Sequence, residues 1–297
     1  MKNTIPKPAI PDSKILVVKK LIAPHFDPTY HSHPEYQLFL VLEGTGTRFV
    51  GDTLKPFQKG DLVLTGPHLP HLWRNENAYF DKANKLSTTG IVIYFHDYLL
   101  GNAIHEKEEL ENIQHLLLKS VRGLEIVGKT NRIISKMMAD LVSLNGVSSV
   151  IQLLRILEII AVSSECHPIT HKHYVPLCNE TETDRMNRVY AYVMKNFNQK
   201  IDLRKVAALI YMTPSSFSRY FKSRVNKSFS DFLKEIRIGH ACKLLCEESI
   251  TIRNTGDACG FQTPSNFNRQ FKQIIGKSPL IYKKECLKTK IDTFGDF

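Results

Sequence analysis

Two stretches fifty residues apart spell almost the same segment, TPSSFSRYFKSRVNKS from Thr213 to Ser228 and TPSNFNRQFKQIIGKS from Thr263 to Ser278. In helical register Ser215, Ser218, Arg219 and Lys222 share one side of the first copy, with Ser216 beside them. Ser265, Asn268, Arg269 and Lys272, with Asn266, occupy the matching side of the second. These are short hydrogen-bonding groups and cations, and no acid interrupts them. Arginine can read guanine edges and asparagine adenine edges in a major groove, while lysine neutralises phosphate. A merely solvated helix would normally mix Glu with its Lys, so the chemistry is that of double-stranded DNA recognition.

Such a surface works only when something holds it, and the neighbouring residues describe the holder. Each copy opens with Thr-Pro: the threonine hydroxyl can cap free N–H groups, and proline at the first helical position sacrifices no hydrogen bond. Phe217 and Phe221, like Phe267 and Phe271, stand four apart on the opposite face and predict burial. DLRKVAALIYM and ITIRNTGDACGFQ precede the copies as short helices ending in turns, which completes two helix-turn-helix plans. The small residues Ala207 and Gly256 are forty-nine apart where the copies are fifty apart, so the second turn carries one more residue. Between the copies, SFSDFLKEIRIGHACKLLCEE predicts a spacer helix of about twenty residues, roughly 30 Å long.

Charge supports this placement. From Asp184 to Phe297 there are 21 Lys and Arg against 10 Asp and Glu, whereas Met1 to Thr183 balances 19 against 19. The whole net charge of +11 therefore lies in the segment with the repeat, as a polyanion partner requires. The earlier sequence has another texture. From about Ile15 to Phe95, short apolar runs alternate with Gly and Pro turns and predict a β-sandwich or small barrel. From about Asn102 to Glu165 the apolar spacing is helical, and SSVIQLLRILEIIAVSS is apolar over most of its surface, which suits either a core helix or half of a dimer contact. ECHPITHKHYVPLCNETETD reads as a linker, with His167, His171 and His173 as solvated side chains. Six cysteines without a CxxC pair suggest reduced thiols, and Cys242 and Cys246, four apart, lack histidine partners for a metal. No signal peptide or membrane span is evident, which predicts a cytoplasmic protein.

The segment from about Asp184 to Lys288 resembles the DNA-binding domain of the AraC/XylS transcription regulators. The resemblance rests on LRKVAALIYMTPSSFSRYFKSRVNKSFSDFLKEIRIGHACKLL and ITIRNTGDACGFQTPSNFNRQFKQIIGKSPLIYKK, with the Gly260-Phe261 pair and the closing Gly276 to Pro279. It implies seven helices forming two helix-turn-helix units on a linking helix, contacting two adjacent major-groove segments. Thr255-Gly256 replaces the family's usual Ile-Ala, and glycine costs about 1 kcal/mol in a helix, so a less rigid second unit is expected.

The first 165 residues resemble the effector-sensing arm of the same family, a cupin-type β-barrel followed by dimerising helices, through YHSHPEYQLFLVLEGTG and KGDLVLTGPHLPHLW. In metal-dependent cupin enzymes the corresponding positions supply a His-x-His pair, a carboxylate and a further His; here they read His31, His33, Gln37 and His71. Gln37 is a weak neutral ligand, and Glu35 follows Pro34, so His31, His33 and His71 are only metal candidates and no metal, cofactor or catalysis is expected. The resemblance favours an effector pocket of His31, His33, Gln37, His71, Trp73 and Arg74, with the indole as a plate for a small molecule such as a sugar.

The resulting expectation is a multi-domain α+β protein with a cupin-like barrel at 1–101, a helical dimerisation segment at 102–165, a linker at 166–183 and a double helix-turn-helix domain at 184–290. Its partners would be double-stranded DNA, a small effector, a second copy in a homodimer and RNA polymerase. Its function would be effector-responsive transcription activation. The alternative is a metal-dependent cupin enzyme with a DNA-binding appendage.

Overall fold

The structure is a computed structural model that describes residues 10–294 apart from residues 12, 173 and 175–179. His173 and Cys178 thus lie outside the described residues. Two compact units divide between residues 179 and 180.

The first unit contains β1 (Leu16–Ala23), β2 (Tyr36–Glu43), β3 (Gly46–Val50), β4 (Thr53–Phe57), β5 (Leu62–Thr65), β6 (His71–Asn75), β7 (Thr88–Phe95) and β8 (Leu99–Asn102). After these come α1 (Ala103–Glu106), α2 (Glu111–Ser120), β9 (Leu124–Ile126), α3 (Gly128–Leu141), α4 (Val147–Ala161) and β10 (Cys166–Pro168). One sheet has the order β1-β7-β2-β5-β9-β10 and a second the order β4-β3-β6. Strand alternation explains why β2 is buried nearly throughout. Leu38 and Leu40, with Leu62, Leu64, Ile91 and Ile93, face a cluster completed by Ile134, Met138, Leu153, Ile156 and Leu157 of the helices. Phe39 and Val41, with Val63 and Val92, face inward toward Phe57 and Trp73. Each buried Leu or Ile contributes about 2 kcal/mol.

Two expectations change here. The stretch 102–165 is not wholly helical, because Leu124–Ile126 adds β9 to the larger sheet. Cys166–Pro168, read as the start of a linker, pairs with it as β10. Strands of three residues are too short to show an alternating pattern, and neighbouring strands decide their pairing. Beyond β10, Ile169 and Thr170 donate main-chain N–H groups to Gly123 and Arg122 at 2.9 and 3.0 Å. His171 donates from its backbone N and meets Asp52 Oδ2 through Nδ1 at 2.8 Å. That histidine is a hydrogen-bond partner of the buried Asp52 carboxylate, not a free linker side chain. The apolar helix α4 is also resolved: its Leu153, Ile156, Leu157 and Ile160 are core, leaving Val147 and Ile151 exposed, with Val162 just beyond its end.

The second unit contains α5 (Glu180–Asn196), α6 (Leu203–Leu209), α7 (Pro214–Val225), α8 (Phe229–Leu245), α9 (Ile252–Ala258), α10 (Pro264–Ile275) and α11 (Pro279–Phe294). These are the seven helices that the resemblance implies. The spacer α8 has 17 residues, so it spans roughly 25 Å rather than 30 Å. Its first half packs Phe229 and Phe232 against Phe217 and Phe221 of α7, with ring centroids 5.1 to 5.4 Å apart. Its second half sets Ile238, Ala241 and Leu245 in one core with Phe261, Phe267 and Phe271. Cys246 and Cys286 form a disulfide between the residue after α8 and α11, which overturns the expectation that all thiols are reduced. The two lie 40 positions apart in sequence, and only helix packing brings them together.

Candidate functional site

The two reading units are built by the same local devices. Thr213 accepts a hydrogen bond from Ser216 N–H at 3.3 Å, and Thr263 accepts one from Asn266 N–H at 3.3 Å. Proline follows each cap, and Asn226 and Gly276, at φ 54° and 80°, end the two helices in the left-handed conformation. Lys227 then pairs with Glu235 at 2.8 Å, and Lys277 with Glu285 at 2.7 Å, fifty positions on in both members.

The outward faces follow from these caps. Ser215, Ser218, Arg219 and Lys222 are exposed on α7, and Ser265, Asn266, Asn268, Arg269 and Lys272 on α10. Ser216 is half-buried and receives the Thr213 hydroxyl at 3.0 Å, which places it in the cap. Ser218 is also committed, donating to Pro214 O at 2.9 Å. Arg269 is steadied by Asn266 Oδ1 at 3.3 Å. One contributor escaped the sequence reading: Arg237, midway along α8, donates to Phe197 O and Gln199 O, both at 2.7 Å, and lies over the Phe261 ring at 5.8 Å. It thereby ties the loop before α6 to the turn of the second reading unit. In the sequence it is one of several charged residues along the helical run, with nothing to set it apart.

In the first unit His31 and His71 exchange two backbone hydrogen bonds, at 3.1 and 2.9 Å, which brings the segment before β2 against β6. His33 joins them, and one ligand atom from each of the three lies within 4.8 Å of the others. Each ring commits Nδ1 to a main-chain carbonyl: His31 to Thr29 at 2.7 Å, His71 to Leu69 at 2.7 Å and His33 to Glu35 at 3.1 Å. A carbonyl only accepts, so Nδ1 carries the hydrogen. Burial, reinforced by the neighbouring imidazoles, holds His71 well below the usual histidine range, and burial beside the His31 ring lowers His33. Their Nε2 atoms are therefore acceptors. His71 Nε2 is buried without a hydrogen-bond partner, and His33 Nε2 is hydrogen-bonded to the Gln37 side-chain amide at 3.2 Å. Such a convergence fits a divalent cation, since metal-bound histidines normally donate their other ring N–H to a carbonyl or carboxylate.

The remaining pocket residues divide. Glu35 lies 3.2 Å from His33 Nδ1, on the side away from the shared Nε2 focus. Trp73 touches His71 edge-on at 5.8 Å, but it is packed by Phe39 and donates Nε1–H to Asp61 at 2.9 Å, so it is a wall and not an open plate. Arg74 leaves the site altogether. Successive side chains of a strand face opposite ways, and Arg74 lies over Phe80 at 4.7 Å and bonds Asn77.

Residues 206–285 match the model of a helix-turn-helix domain, and residues 20–78 that of a cupin domain. The chain thus combines a helix-turn-helix domain of the AraC type with a cupin domain. It is similar to an uncharacterised helix-turn-helix-type transcriptional regulator, YfiF of Bacillus subtilis, at 21% identity over 80% of this chain and 73% of that protein. It is likewise similar to the transcriptional activator RhaR of Mannheimia succiniciproducens, at 20% identity over 89% and 91% of the two chains. Among solved structures, ToxT from Vibrio cholerae aligns over 91% of this chain and 97% of its own, with 13% identity and a TM-score of 0.36. With these two domains the chain is a DNA-binding transcription regulator. Among the described residues no helix is long and apolar enough to cross a membrane.

Proposed function

We propose that this regulator senses a small molecule in its barrel, works as a homodimer in the cytoplasm and activates transcription through contacts with RNA polymerase. The observation that carries the sensing role is the meeting of three imidazoles in the same chain as two reading helices. The buried Nε2 atoms of His33 and His71 favour a ligand that brings donors or positive charge. Sugar hydroxyls supply donors, and His31, the least buried of the three, offers the way in. A divalent ion held by His31, His33 and His71 would supply a Lewis-acidic anchor for an oxygen-bearing effector. Gln37 closes the focus, while Trp73 shapes its wall.

The exposed Val147, Ile151 and Val162 along α4 and its end, and Leu118 and Val121 on and after α2, support a second copy as the partner of the helical segment. On the other unit, Arg219 and Arg269 read bases and Lys222 and Lys272 contact phosphate. That RhaR is a transcriptional activator supports activation here. The ligand acts by binding one arrangement of the protein better than another. The test is thermal shift and DNA binding of the purified protein with sugars and with divalent ions, repeated for His71→Ala. A shift and a change in DNA affinity that His71→Ala abolishes are expected; a response that survives the substitution puts the effector elsewhere.

A further inference from the structure

The turn between α6 and α7 holds Tyr211 at φ 59°, where an L-residue's Cβ crowds the backbone. The second reading unit has Gly260 at the same point, at φ 78°. The correspondence is fixed by hydrogen bonds from Met212 N–H to Ala207 O and from Phe261 N–H to Gly256 O, both 3.0 Å. Each turn therefore asks for a left-handed residue, and glycine supplies it without strain. At Gly260 a side chain would also collide, because a Cβ would lie 2.7 Å from the Asn198 carbonyl group. At Tyr211 the space is open, and the residue is 88% exposed. A strained tyrosine that buries almost nothing gains little for the fold, and strain of this kind concentrates at functional positions.

Its neighbour indicates the chemistry. Arg188, an exposed cation on α5, has its guanidinium 6.0 Å from the Tyr211 ring centroid. Tyr211 also lies two residues before the Thr213 cap, at the end of α7 from which a recognition helix approaches bases. A phenol O–H and a guanidinium side by side on a basic surface suit an anionic oxygen, and at this edge of the groove that oxygen belongs to a phosphodiester. We infer that Tyr211 and Arg188 form a phosphate-contacting pair that seats the first reading unit on the DNA backbone. The second unit has only glycine at the tyrosine's position. This inference rests on DNA reading by α7.

The test uses the full chain and a duplex selected by it, with affinity measured across a salt series. Arg188→Ala should flatten the slope of log affinity against log salt by about one. Tyr211→Phe should weaken binding about tenfold and leave the slope unchanged. Tyr211→Gly should weaken binding at least as much while its thermal midpoint does not fall, so the loss cannot come from a damaged fold. Parent-like affinity and slope in all three variants overturn the pair. So does a clear fall in midpoint for Tyr211→Gly, which would show the ring packing in the fold, and so does lost activation with unchanged DNA binding, which would assign the surface to a protein. A parent that selects no duplex sinks the reading beneath the pair, and the pair with it.

Discussion

Gly256→Ala tests what holds the second reading helix in place. On propensity alone, alanine should stabilise α9 by about 1 kcal/mol, because Gly256 has no positive φ to protect. Packing opposes this. A Cβ at position 256 would meet Cδ1 and Cγ of Phe267 at 3.2 Å and its Cβ at 3.4 Å, closer than the ordinary 3.5 to 4.0 Å carbon contact. Phe267 is 1% exposed and held by Phe261 and Phe271, with ring centroids at 5.2 and 5.7 Å. It cannot yield a few tenths of an ångström without moving α10. Overpacking at such a site costs about 1 to 3 kcal/mol, so the net expectation is a loss of about 1 kcal/mol and a midpoint lower by about 4 °C. Thermal unfolding should show that loss, and DNA titration should show weaker specific binding because the displaced helix carries Asn268 and Arg269. Combining Gly256→Ala with Phe267→Leu should give a less than additive loss, since the smaller side chain relieves the contact. A midpoint raised by several degrees in the single variant would refute the packing argument and restore glycine's flexibility as its main effect.

Arg219→Ala and Arg269→Ala are each expected to weaken specific binding by roughly 1 to 3 kcal/mol and to relax preference at a base pair, measured by titrating the selected duplex and its single-position variants. Lys222→Ala should weaken all duplexes about equally and flatten the salt dependence, and a changed base preference would contradict a phosphate role. Reducing the Cys246–Cys286 disulfide, or replacing Cys246 with Ser, should lower the unfolding midpoint of the second unit. The 40-residue separation gives a chain-entropy ceiling of about 4 kcal/mol, and denaturant titration with and without reductant measures how much of it is realised.

The duplicated unit was legible because its determinants are local. Thr-Pro starts, paired phenylalanines and the Gly260-Phe261 turn act within a few residues, and spacing along the chain records them directly. Even the unequal turns could be read. Met212 and Phe261 make matching bonds to Ala207 and Gly256, but Thr213 follows Met212 at once, whereas Gln262 intervenes before Thr263. What was misread depends on distant partners. β9 exists because β5 and β10 flank it, and the disulfide exists because α11 packs on α8. At Gly256 the sequence shows a residue of low helix propensity, and the structure adds the Phe267 ring packed against it.

The barrel site shows the same division within one motif. The sequence put His31, His33 and His71 forward through their resemblance to a cupin set, but the same letters also gave Trp73 and Arg74 as pocket residues. Alternation along β6 settles Arg74, since a strand that turns His71 and Trp73 inward must turn residue 74 out. Trp73 needed three dimensions, because Asp61 is brought to its indole by the turn before β5. The decisive feature is finer than placement. Thr29, Leu69 and Glu35 present backbone carbonyls to three Nδ1 atoms, and backbone carbonyls have no letter in a sequence. They fix the tautomers, burial keeps His33 and His71 neutral, and the focus is left with two buried Nε2 acceptors beside the Gln37 amide. A neutral glutamine at position 37 then changes meaning: it weakens the metal set compared with a carboxylate, yet it leaves the focus able to take either an ion or a polyhydroxylated molecule. Gln37→Glu separates these outcomes. It should tighten divalent-ion binding by adding charge to the three imidazoles, measured by isothermal titration, whereas a site that takes only sugar should show no gain for any ion.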